Sequence, residues 1–125
     1  MPVINHHHDG HGLNDLISIT SDEPDGSGAA HEYSARMVFN DGNALGPIAT
    51  VQFQKGPRLD PASTPGMTEA ALLSILIDRL RGFQAGPYAC RENAIQLTKL
   101  EEVMHWTRHR ADERARRGVL GKNEA

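Results

Sequence analysis

A chain of 125 residues with a net charge of -3 has room for one domain and a single modest core. Hydrophobic residues make up 38% of it and charged residues 23%, and no stretch approaches the roughly 20 apolar residues of a membrane span, so the reading excludes a membrane protein. The single cysteine excludes an internal disulfide, and the acidic balance argues against affinity for a nucleic-acid polymer.

No basic start followed by an apolar run and a small-residue cleavage site opens the chain, so the expected setting is a reducing cytoplasm. Residues 1–14, "MPVINHHHDGHGLN", have no periodicity and are expected as a flexible arm. The histidines there (His6, His7, His8, His11) lack the supporting partners that fix a metal, and no metal or other cofactor is expected. From Asp15 to Thr20, Ile17 and Ile19 alternate with polar neighbours as in a half-buried strand. "SDEPDGSGAA" reads as a loop. Tyr33, Ala35, Met37 and Phe39 recur with period two, Asn40 to Asn43 is turn chemistry, and Ala49, Val51 and Phe53 alternate again. Residues 15–57 are therefore read as a small antiparallel β half.

Gln54 to Met67 holds three prolines and two glycines, and residues 58–67 form the expected connecting loop. Residues 68–119 read as a helical hairpin. Its first helix starts at the N-cap Thr68 and runs to Gln84, with Leu72, Leu76, Leu80 and Phe83 on one stripe. After Gly86-Pro87 a second helix carries Ala94, Leu97, Leu100 and Met104, with no breaker before Gly118. Some 30 residues make a rod of about 45 Å. Residues 120–125 are a tail. The fold class is α+β: a small N-terminal antiparallel β-sheet, then a two-helix hairpin with a long second helix, in a single domain of residues 1–125. A projecting helix with apolar positions left over meets another subunit, so a homo-oligomer is expected.

Charge is segregated along the chain. Residues 1–41 carry seven acids against Arg36 alone, whereas from Arg108 onward six bases face three acids. A local cationic patch on an acidic protein suits a small anion. Phe83 is either an apolar plug or a stacking platform for a base. Asn93 either bonds back to the hairpin turn or offers its amide to a ribose or base edge. Arg110, Arg114 and Arg117 share one helix face, where they either complement the macrodipole or grip a pyrophosphate. Arg58, Tyr88 and Arg91 complete the candidates. Cys90 has no spaced histidine or acid as partner, and neither a phosphate loop nor a nucleophile elbow is present. The chain reads as a binder, not an enzyme.

The stretch "LIDRLRGFQAGPYACRENAIQLTKLEEVMHW", followed by "RADERARRGV", resembles the helical hairpin shared by two groups of phage anti-defence proteins, the first Thoeris anti-defence family and the second anti-CBASS family. "VQFQKGP", "GMTEAALL" and "GSGAAHEY" upstream look like the N-terminal half of the Thoeris group. The resemblance implies a sponge that binds glycocyclic isomers of ADP-ribose made by TIR-domain enzymes without cleaving them. It implies dimers to hexamers in the cytoplasm of the infected host, with cyclic oligonucleotides as further ligands in some members. It also implies that Phe83 stacks the base, that Asn93 is the polar contact, and that Arg110 and Arg114 hold base or phosphate. Leu120 stands where the family commonly has an acid, and Pro65-Gly66 where "NG" is usual. The rival readings are a helical oligomerisation or adaptor protein and an enzyme that degrades cyclic nucleotides.

Overall fold

The computed structural model describes residues 1–118, which fall into two compact units, one of Met1–Lys55 and one beginning at Gly56. They stand where the sequence predicts a single domain with a β half and a helical half. The tail at 120–125, and residue 119 of the hairpin span, lie outside the described residues.

The first unit is a four-stranded antiparallel sheet in the order β1-β2-β3-β4, formed by β1 (Val3–Ile4), β2 (Ile17–Ser21), β3 (Glu32–Val38) and β4 (Ala44–Gln52). The leading segment, expected as a flexible arm, is instead tied to the sheet: β1 pairs Val3 with Thr20 and Ile4 with Ile19, and one helical turn, α1 (Leu13–Leu16), precedes β2. The ties are mostly polar, which is why hydrophobic periodicity misses them. The Asp15 carboxylate accepts from the N–H groups of Asp9 and Gly10, Asp9 accepts from Asn14 Nδ2, and His7 Nε2 donates to the Ile17 carbonyl at 2.7 Å.

The loop before β3 is ordered in the same way. Asp25 accepts from the Ser27 hydroxyl and N–H and from His31 Nε2, and these contacts hold its carboxyl at about 2. Asp22 accepts from the N–H groups of His31 and Glu32, which lowers its pKa in turn. The β3–β4 hairpin closes through Asn40 to Asn43, where the Phe39 N–H donates to the Asn43 carbonyl and Gly42 takes φ +88°.

β4 begins earlier than the alternation of Ala49, Val51 and Phe53 indicates, because a bulge absorbs the Gly46-Pro47 pair. Ala35 faces Ala49 and Met37 faces Leu45, so three β4 residues sit opposite Arg36. Gly46 has φ +144°, and a Cβ there would lie 2.7 Å from the Arg36 Cβ. The proline and the bulge also blunt this outer edge of the sheet against further pairing.

In the second unit, turns held by Asp60 lead to α2 (Glu69–Ala85) and α3 (Arg91–Arg116). Thr68 caps α2 by accepting from the Ala71 N–H at 3.1 Å, as its position at the end of the proline-rich loop foretold. α3 (26 residues) outruns α2 (17 residues).

Gly46→Ala is expected to lower stability by about 1–3 kcal/mol through backbone strain and the clash with Arg36. Gly82→Ala, inside α2 with open space around its Cα, is expected to raise it by about 0.5–1 kcal/mol. Urea unfolding of both variants checks this pair.

Candidate functional site

The helices meet along a seam with alternating steps of three and four. On α2 it runs through Ala70, Leu73, Ile77, Leu80 and Gln84; on α3 through Asn93, Leu97, Leu100, Met104, Thr107, Ala111 and Arg114. Ile77 and Met104, at 7% and 8% exposure, form its centre. The stripe expected on α2 is thereby rotated: Leu76 is 45% exposed and flanks the seam. The apolar run from Ala70 to Ile77 presents two neighbouring stripes, and sequence spacing fits both. On α3 the inward position is Asn93, and Ala94 is exposed.

The corner between the helices is capped from both sides. The Gly86 N–H donates to the Phe83 carbonyl, Gln84 Oε1 accepts from the Cys90 N–H at 3.0 Å, and Cys90 Sγ accepts from the Asn93 N–H at 3.4 Å. Cys90 is therefore the N-cap of α3. Asn93 Oδ1 is 3.5 Å from Gln96 Nε2.

Beside the seam lies an open groove of about 510 Å³, walled by Leu76, Leu80 and Phe83 of α2 and by Leu100 and Val103 of α3. Arg79, Gln96 and Lys99 supply its polar lining, and no carboxylate lines it. The Arg79 guanidinium carbon stands 4.9 Å from the centre of the Phe83 ring, a cation–π contact at i, i+4 spacing. Two acids, Asp78 and Glu101, lie across the hairpin in a second groove with Arg81, His105 and Arg108, where Arg81 pairs with Glu101 at 3.5 Å. One groove is thus apolar with two cations, and the other is polar with mixed charge.

A shallower groove continues along α3 past Lys99 and Val103 to Trp106, Thr107, Glu102 and Arg110. Gln96, Lys99, Val103, Trp106 and Arg110 recur at alternating three and four, so they make a second stripe beside the seam. Val103 is 48% exposed and Trp106 64%.

Of the sequence candidates, Phe83 lies half-buried in the first groove. Asn93 and Arg114 lie half-buried on the seam, and neither lines that groove. Arg110 is exposed on the second stripe, about 21 Å along the helix from Gln96. Arg117 is the C-cap of α3 and pairs with Glu113 at 2.8 Å. Arg91 opens α3 beside a small recess, Tyr88 projects from the corner, and Arg58 sits in the turn before Asp60. None of the other candidates lines the groove at Phe83, whereas Arg79 and Lys99 do. Sequence reasoning passed over both, although Arg79 stands one helical turn before Phe83. Among the described residues no three histidine, cysteine or acidic side chains converge as a metal site, and no helix is long and apolar enough to cross a membrane.

Residues 48–111, from within β4 through most of α3, match the family model described as Acb2/Tad1, hairpin domain. The chain is also similar to Thoeris anti-defense 1 of Bacillus phage SBSphiJ7, with 44% identity over 79 residues, which cover 63% of this chain. The match spans about half of that relative's own length, 55%.

Because the Cys90 sulfur acts as a cap, Cys90→Ser is expected to preserve the fold and to raise stability by up to about 1 kcal/mol, serine being the stronger N-cap. A fall in thermal midpoint would contradict the capping role.

Proposed function

The chain belongs to the Acb2/Tad1 hairpin family, and from that premise we propose that it is a phage antagonist of Thoeris defence, a sponge that binds glycocyclic ADP-ribose isomers and holds them uncleaved. The observation that carries this reading is the groove at Phe83. An aromatic ring among aliphatic walls gives a base a surface to stack on, a contact worth about 1–3 kcal/mol per base in single-strand binders. Arg79 and Lys99, in a groove lined by no carboxylate, favour the pyrophosphate of the same molecule. The lining pairs no nucleophile with a base, which supports holding the ligand and not cleaving it. The name of the similar phage protein supports the Thoeris setting. The site of action on this reading is the cytoplasm of the infected bacterium, and the same cations suit cyclic oligonucleotides as further ligands.

The working unit is a homo-oligomer. The stripe from Gln96 to Arg110 leaves Val103 and Trp106 exposed, and Val103 lies midway between its ends. Two hairpins packed through this stripe about a two-fold axis at Val103 set Arg110 of the second copy against Gln96 and the Phe83 groove of the first. Each groove is then roofed, water is excluded, and Arg110 regains the role that its distance from Phe83 denies it within one chain.

The test is ligand retention. Purified protein incubated with glycocyclic ADP-ribose is expected to keep it through desalting and to release it unmodified on heating, and Phe83→Ala is expected to keep none. A cleaved product, or wild-type protein that retains nothing, contradicts the sponge.

A further inference from the structure

Arg79 lies in the stretch that carries the resemblance but has no role there, yet its position in the groove is distinctive. The neighbouring arginine on α2, Arg81, faces the opposite groove and pairs with Glu101. Arg79 instead lies over the Phe83 ring at 4.9 Å, and among the described residues it has no carboxylate partner. A base inserted between ring and guanidinium needs two stacking separations, about 7 Å in all at contact distances near 3.5 Å. The observed spacing leaves no room for it, so a base takes that face of Phe83 only when Arg79 leaves it.

The geometry points to Arg79 as a placeholder that becomes a phosphate clamp. In the empty groove its flat guanidinium covers the face of Phe83 that a base would take. When a base stacks there, the guanidinium swings to the rim, where Lys99 from α3 lines the same groove, and the two cations hold the phosphates. This deepens the proposed function and rests on it: the ligand class is a base joined to a phosphate anion, and Arg79 selects for the anion. Displacing Arg79 from the ring opposes stacking, and only a ligand with phosphate compensates for it. A phosphate-free nucleoside meets the placeholder without the compensation, so the residue acts in opposite directions on the two kinds of ligand.

Calorimetry with glycocyclic ADP-ribose, and chemical-shift titration with adenosine as the phosphate-free probe, test this on the full chain with wild type, Arg79→Ala, Arg79→Lys and Phe83→Ala. Arg79→Ala is expected to weaken glycocyclic ADP-ribose about 10- to 100-fold, the scale of a lost charged hydrogen bond, and to flatten its salt dependence. The same variant is expected to bind adenosine as well as wild type or better. Arg79→Lys is expected to restore the salt dependence and part of the affinity, and Phe83→Ala to lose both ligands. If Arg79→Ala weakens both ligands alike, the residue only supports the ring and the clamp is overturned. If it leaves glycocyclic ADP-ribose unchanged, the clamp is overturned while the sponge stands. If wild type binds adenosine but not glycocyclic ADP-ribose, the sponge itself fails, and the clamp fails with it.

Discussion

Two helices packed as a hairpin bury one seam between them, and the residues beside it form its flanks. Here that seam is continuous: Ile77 against Met104 at its centre, with apolar or small residues stepping away at threes and fours and Asn93 and Arg114 toward the two ends of α3. Outside it, Leu76, Val103 and Trp106 are exposed and Phe83 is half-buried. The groove is the direct consequence. Phe83 and Leu76 cannot reach the seam, so they form a wall beside it, and α3 provides the facing wall through Val103 and Leu100.

The seam also sorts the charges. Helical periodicity sends Asp78, Arg81, Glu101 and Arg108 to one flank and Arg79 and Lys99 to the other. An acidic chain thereby keeps one apolar groove whose only ionised side chains are cationic. The proposed preference for an anion rests on this local arrangement and not on the net charge of -3. The polar sheet unit is organised differently, by carboxylates that accept backbone N–H groups at Asp9, Asp15, Asp22 and Asp25, and by a bulge that only glycine at position 46 accommodates.

The parts of the fold legible in the sequence were those set by local chemistry. Thr68 announced the start of α2, the Asn40 to Asn43 turn announced the β3–β4 hairpin, and the absence of breakers announced the length of α3. The two-residue strand at Val3 was not legible, since no periodicity marks a pairing that short, nor was the start of β4, since the bulge at Gly46-Pro47 interrupts the alternation. In the candidate site, resemblance supplied Phe83 through its motif, and the groove that Phe83 lines depends on facing helices. Arg79 could not be named in that way, because its meaning comes from the ring it covers and from Lys99 across the groove. The separation of Arg110 from Phe83 was equally hidden, since it follows from the helix axis and the hairpin pairing together.

The central claim is that the groove of one copy is completed by Arg110 of a second. The most direct measurement mixes two inactive proteins. Phe83→Ala and Arg110→Ala variants are unfolded together, refolded and assayed for retained glycocyclic ADP-ribose beside each variant refolded alone. A site shared between copies predicts that the mixture regains retention that neither variant has, because one hybrid interface holds both an intact Phe83 and an intact Arg110. A mixture as empty as its components, with mixed assembly confirmed by mass, would contradict the shared site.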